Sequence, residues 1–515
     1  MKRFLRAMCL AVSMTLCFPL IFSGCGSETA GQPEVSASAS TVTTAAEASA
    51  EQLAPYKVVW YLRGNGMSPD VPMIEDELAK LCEDINTTVK IIYYPWGEYK
   101  DKMSLLIGAR EQFDICFTAS AMGYYEYAES GAYADLTDIY EEKFQRFSKV
   151  LDPALVEAAK VNGKLYALPT NKETFGLNGF DVDKEYAEEC GIDLDAIKTM
   201  KDMEEVLEIV KKKKPDIIPL FMMKNYSLRA ERTWDPIGGA STSGVVFVDD
   251  DSVTVVDQYQ TPEMKESYKT AEAWRKAGYI NEDAATVSSE TVWQQRKAFA
   301  RGVLPLGPIP EYVGPSNNVI KRVVIGDRVI STSSGVNAMQ AFSSTSKGID
   351  RAIMFFDKFA TDAKMINTLA FGIEGVHYRL TDTSVNPPVW DYLEGQDLNS
   401  VGYNSGGAWS IGGDWFLSYL AKTDPANRND LVKEGNKTAK ESPALGFSFD
   451  TANVVNEIAA CNNVVAEYHY GLATGMLEVE KYLPVFIEKM KEAGSERIVQ
   501  EKQRQINEWK ARTGK

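Results

Sequence analysis

"TTVKIIYYPWGEYKDKMSLLIGAREQFDICFTA", residues 87–119, holds two apolar, β-branched and aromatic runs with a helix-forming stretch between them. Upstream, "YKVVWYL" (56–62) is another strand-like run, "RGNGMSPDV" a loop, and "VPMIEDELAKLCEDI" places Ile74, Leu78, Leu81 and Ile85 at helical spacing. Strand, helix, strand, helix, strand is the order of a parallel sheet with crossover helices. In such sheets ligands bind beyond the carboxyl ends of the strands. Arg63 and Asn65 follow the first strand, and "ASAMGYYEY" (119–127), with Ser120 and Tyr124, follows the third. These positions line the predicted crevice, and small neighbours around Tyr124 suggest a ring projecting into it.

Further on, "NGKLYALPTNKETFGLNGF" reads as a tight turn and two strands, and "GVVFVDDDSVTVVD" as a hairpin with an acidic tip. Long helices are predicted over "TPEMKESYKTAEAWRKAGYI" and "KGIDRAIMFFDKFATDAKMINTLAFG", with short strands at "GVLPLGP" and "SGVNAMQAF". The C-terminal stretch is a helical pair split near Gly494.

At the other end, Lys2, Arg3 and Arg6 precede an apolar run over 7–22 that is short of the ~20 residues a spanning helix needs. Residues 1–24 therefore read as a signal peptide, and "FSGC" as a lipidation motif with Cys25 as the acylated residue. Residues 25–54 are small, polar and aromatic-free after that cysteine, the composition of a disordered tether. The remaining ~460 residues exceed one hydrophobic core, so two or more lobes are expected. With 72 acidic against 55 basic residues the net charge is −17, which argues against nucleic acid or an anionic membrane surface as partner.

Reactive motifs are scarce. The two histidines, His377 and His469, form no paired metal or triad pattern; neither a P-loop nor GxSxG occurs, and "VDDDSV" lacks the glycine and glutamate of a calcium loop. Cys82, Cys116, Cys190 and Cys461 have no metal-ligand spacing and read as buried small hydrophobes. No cofactor or metal is expected. Carboxylate pairs sufficient for a glycosidase exist, but nothing marks one pair. What stands out are aromatic residues beside Gly, Asn, Asp or Ser: Trp96, Tyr124, Trp234, Tyr403, Trp409 and Trp415. Rings of this kind, half wet and flanked by polar groups, suit stacking on sugar faces.

Four stretches, "YYPWGEYKDKMSLLIGAREQFDICFT", "VNGKLYALPTNKE", "FGIEGVHYRL" and "EKQRQINEW", resemble the extracellular solute-binding lipoproteins of ABC importers, in the family-1 sugar-binding class and its LplA-like subgroup. The resemblance implies an α/β, two-lobed periplasmic-binding-protein-like fold with discontinuous lobes and a C-terminal helical extension. It places lobe 1 at 55–170 plus 325–374, lobe 2 at 171–324 plus 375–484, and the C-terminal helices at 485–515. Crossings fall near Pro169–Glu173 and Gly372–His377. It also implies a monomeric, lipid-anchored, non-enzymatic protein on the extracytoplasmic face of the membrane, giving an oligosaccharide to ABC permease subunits. Asn171 and Glu173 at the hinge join Arg63, Asn65, Ser120 and Tyr124 as ligand-binding candidates; Trp234, Tyr403 and Trp409 are added on composition. The rival readings are a surface glycoside-active enzyme and a sensor or scaffold partner of a membrane kinase.

Overall fold

The computed structural model describes residues 53–514 apart from 225, 229–231, 240, 241, 289, 303–306, 315, 317 and 399. The predicted signal peptide, Cys25 and nearly all of the tether lie outside the described residues, as does most of the strand expected at "GVLPLGP".

In chain order the main strands are β1 (Tyr56–Gly64), β2 (Thr87–Pro95), β3 (Ile115–Thr118), β4 (Ala167–Pro169), β5 (Gly179–Asp183), β6 (Ile218–Phe221), β7 (Ala298–Arg301), β8 (Glu311–Val313), β9 (Val319–Val324) and β10 (Met339–Phe342). The first sheet has the order β2-β1-β3-β10-β4, and the second β8-β9-β5-β7-β6. The chain thus builds four strands of one sheet, crosses over 170–178 to build the other, and returns to insert β10. β1 pairs parallel with β2 and β3, with Trp60 opposite Ile115, as the alternation of strands and helices predicts. β10 instead runs antiparallel between β3 and β4.

Each sheet has its own core. In the first, Trp60 is fully buried and meets Phe355, Phe356 and Phe359 edge-on at 6.0, 6.1 and 5.0 Å. Its indole N–H donates to Gln340 Oε1 at 2.8 Å, tying β1 to β10. Edge-on contacts suit the ring quadrupole. The second sheet packs Phe180, Val182, Leu207, Val210, Trp274 and Phe299. In a third core, Tyr259 and Tyr268 meet Phe486, Ile498, Ile506 and Trp509 of the C-terminal helices Val479–Glu492 and Ser495–Thr513. Gly494, at φ +98°, makes the break between those helices as predicted.

Some local expectations change. The single helix expected over 347–372 is two, Ile349–Phe359 and Ala363–Phe371. Asp362 causes the break, because its side chain accepts the N–H groups of Lys364 and Met365 and so caps a new helix. The hairpin expected at 244–257 closes through one antiparallel bridge, Val245 to Val256, while Val246–Phe247 pairs with Trp234–Asp235. Residues 375–484 are expected in the second lobe, yet Tyr403, Ala408 and Ile411 are buried in the first core, with Trp415 and Leu417 packed against it. Their apolar side chains find cover on the first sheet, and Tyr419 still stacks on Phe371 and donates its N–H to Asn367 of the helix Ala363–Phe371, so this segment packs with the first core.

The last helix carries a buried cation. Lys502 is fully buried, donates to the Gly244 carbonyl at 2.7 Å and sits 5.2 Å from the Phe449 ring centre. Burial lowers its pKa to about 7 against the opposing pull of Asp235 and Asp257. The folded protein therefore holds this proton less tightly than the unfolded chain. Stability should rise with pH from about 7 to the unfolded lysine value of ~10.4, by up to ~1.4 kcal/mol per pH unit. Lys502→Met should lack this rise in urea unfolding between about pH 7 and about pH 9. Equal slopes in the two proteins would exclude Lys502 as its source.

Candidate functional site

The carboxyl ends of β1 and β2 are crossed by the loop 404–414. The approach is close: a Cβ on Gly64 would lie 2.4 Å from the Ser405 carbonyl oxygen, and one on Gly406 (φ +89°) 2.7 Å from the Trp96 ring. Both positions need glycine. Trp96, directly after β2, stacks on Trp409 with ring centres 5.5 Å apart and planes 9° from parallel. Arg63 lies over the Trp96 ring at 4.6 Å, and the Trp96 indole N–H donates to Asn65 Oδ1 at 2.9 Å. The Arg63 Nε is buried without a hydrogen-bond partner, and burial lowers the guanidinium pKa. The result is a ladder, Arg63 on Trp96 on Trp409, rising from two strand ends into a loop. Trp409, at its top, remains 37% exposed.

Of the residues expected at a ligand, the structure gathers Arg63, Asn65 and Trp409 here. Trp96, directly after β2 and one of the aromatic residues that stand out beside small and polar neighbours, completes the set. Ser120 is half-buried after β3, its N–H donating to the Val336 carbonyl at 2.8 Å. Tyr124 does not project into the crevice. It is fully buried, its ring beside Tyr125 and Tyr133, and its hydroxyl donates to the Ala159 carbonyl. Tyr403 is also a core residue, 2% exposed, donating to the Leu369 carbonyl at 2.7 Å and 3.0 Å from the Tyr93 hydroxyl. In both, a buried phenol finds its partner inside the protein.

Asn171 and Glu173 lie on the first crossing, apart from the tryptophan ladder. Asn171 donates to the Val150 carbonyl and to Asp414, each at 3.0 Å, and Glu173 pairs with Lys172 at 2.6 Å. Asn436 holds the same crossing through the Thr174 N–H and the Lys172 carbonyl. Beside it is a cavity of about 670 Å³ lined by Asn171, Asp152, Asp414, Lys433 and Asn436. At the third core, Trp234 packs edge-on against Phe247. Its neighbour Asp235 is fully buried and accepts from both the N–H (2.7 Å) and the hydroxyl (2.8 Å) of Thr332 on the return crossing. Burial raises the Asp235 carboxyl. Asp235 in turn helps burial raise the Tyr125 phenol.

Among the described residues no cluster of three or more His, Cys, Asp or Glu could hold a metal, and no helix is long and apolar enough to cross a membrane. Cys82, Cys116, Cys190 and Cys461 are free and buried, and burial pushes the Cys82 and Cys116 thiols up to about 12.

Residues 77–307 match the family described as bacterial extracellular solute-binding protein, and residues 443–511 match a domain of unknown function, DUF3502. A carbohydrate ABC transporter substrate-binding protein of Streptococcus pneumoniae serotype 4 (strain ATCC BAA-334 / TIGR4) is 31% identical over 469 residues, 85% of this chain and 89% of that protein. A crystal structure of the N-glycan transport solute binding protein (NgtS) from Streptococcus pneumoniae superposes with TM-score 0.79 at 28% identity, covering 90% of this chain and 100% of that one. The same protein in complex with Man1GlcNAc gives 0.69 at 27% identity, over 88% and 99% of the two chains. In complex with Man5GlcNAc it gives 0.66 at 27%, over 89% and 99%. With its two α/β lobes and a relative of this identity along nearly its whole length, the chain belongs to the bacterial extracellular solute-binding proteins, the family of the substrate-binding components of carbohydrate ABC transporters.

Proposed function

We propose that the protein captures an oligosaccharide between its lobes and delivers it to ABC permease subunits for import. The observation that carries this reading is the exposed indole of Trp409, backed by Trp96 and Arg63 at the carboxyl end of the first sheet. One face of Trp409 is taken by Trp96, and the other is the platform for the apolar face of a sugar ring. Asn65, exposed beside it, presents its amide to a hydroxyl, with Ser120 further along the same edge. Trp234 supplies a ring from the second lobe. Asn171 and Glu173 act at the hinge, and Asp235 clasps Thr332 on the return crossing. The fall in TM-score from 0.79 to 0.69 and 0.66 for the relative's glycan complexes supports a rearrangement of the lobes on binding.

The ligand is tested by calorimetry and thermal shift with Man1GlcNAc and Man5GlcNAc. Glycan at 100 times its Kd should stabilise the protein by ~2.7 kcal/mol. Absence of both heat and stabilisation with both glycans would count against N-glycan fragments as its cargo. The protein binds and does not cleave, so no new reducing ends should appear when Man5GlcNAc is incubated with it.

The monomer is held on the extracytoplasmic face by a lipid on Cys25, with residues 26–54 as tether. Cys25→Ser should release it into the medium or leave an unprocessed precursor in the membrane. Unchanged processing and retention in that variant would remove Cys25 as the anchor.

A further inference from the structure

Beside the tryptophan ladder, on the far side of Gly406 and Gly407, lies a second cavity of about 360 Å³. Its wall is Phe371 from the end of helix Ala363–Phe371, with Trp390 and Tyr392 from strand Val389–Tyr392. Trp390 and Tyr392 stand two residues apart and so share one face of that strand. Phe371 and Trp390 are 4.5 Å apart between ring centres, and Trp390 and Tyr392 are 5.1 Å apart. Both strand aromatics are only half-buried, and Leu398 at the edge of the cavity is 55% exposed. Two amides, Asn65 and Asn404, complete the lining. Asn404 is held in place by accepting the Gly406 N–H at 3.0 Å. Asn65 also holds Trp96, so the cavity and the ladder share a wall.

We infer that this aromatic cavity is an outer subsite that receives a branch sugar of an oligosaccharide whose main body lies on Trp409. The inference rests on the carbohydrate reading above. Three features favour a sugar ring over closure by protein. The volume is at the lower end of small-molecule sites, which suits one sugar residue better than a whole glycan. The lining joins aromatic faces with amide edges, the pairing that recognises one apolar face and its flanking hydroxyls. The cavity adjoins the ladder through Asn65, whose Oδ1 accepts the Trp96 indole N–H, with Gly406 and Gly407 also in its lining. On this basis a disaccharide occupies the ladder alone, and a branched glycan reaches both places.

Calorimetry on the wild type, Trp390→Ala and Leu398→Arg with Man1GlcNAc and with Man5GlcNAc tests this. Leu398→Arg places a long charged side chain at an exposed edge and should leave ligand-free melting unchanged, so a folding defect in Trp390→Ala does not decide the outcome. Both variants should bind Man5GlcNAc about tenfold more weakly and Man1GlcNAc as the wild type does. Equal losses for the two glycans, or no loss for either, overturns the outer subsite while leaving the carbohydrate reading standing. A wild type with the same affinity for both glycans does the same. A wild type that binds neither glycan removes the parent reading as applied to these glycans, and the subsite with it.

Discussion

Tyr124→Ala lowers the unfolding free energy of the ligand-free protein by about 3–5 kcal/mol and leaves the glycan affinity of each folded molecule unchanged. The ring is wholly buried, 5.4 Å from Tyr125 and 6.4 Å from Tyr133 between ring centres, so its removal leaves a cavity that neighbouring strands cannot collapse to fill. The substitution also strips the Ala159 carbonyl of its donor. Tyr124→Phe isolates that second loss, which should be ~1 kcal/mol. Urea unfolding with calorimetry on the folded fraction checks both variants. Undiminished stability together with weakened glycan binding would return Tyr124 to the crevice.

Trp409→Ala should show the opposite pattern. Its indole is 37% exposed and rests on Trp96, which keeps Arg63 on its ring and Asn65 on its indole nitrogen when Trp409 is gone. Folding should therefore change little. Binding of Man5GlcNAc should weaken by ~2 kcal/mol, about thirtyfold in Kd, because the ring supplies the stacking surface itself. Trp409→Phe should recover part of the loss by restoring a smaller aromatic face. Wild-type affinity in Trp409→Ala would move the sugar off this platform and make the ladder a structural prop of the loop.

These two residues have similar settings in the sequence, an aromatic side chain beside small and polar neighbours, and they end in opposite environments. Local chemistry cannot separate them. Tyr124 begins the helix Tyr124–Glu129 and turns inward under Ala159, while Trp409 sits on a loop that must pass over Gly64 and Gly406. Tyr403 went the same way as Tyr124, since a phenol buried beside Tyr93 and Leu369 is satisfied twice.

Features that depend on neighbours along the chain are legible in the residues alone. Alternating strands and helices over 56–118, the break of the C-terminal helices at Gly494, the buried cysteines, and the placing of Arg63 and Asn65 at a strand end all follow from periodicity, glycine and the carboxyl-end rule. Meetings between distant residues are set by packing across the fold. Trp60 and Gln340 are 280 positions apart, and their hydrogen bond belongs to a strand, β10, that returns from beyond the second sheet to lie antiparallel in the first. The same return carries 403–411 onto the first core and brings Trp409 over Trp96. Burial of apolar area is non-directional and indifferent to chain separation, so periodicity can mark a side chain as wanting cover without saying which sheet provides it.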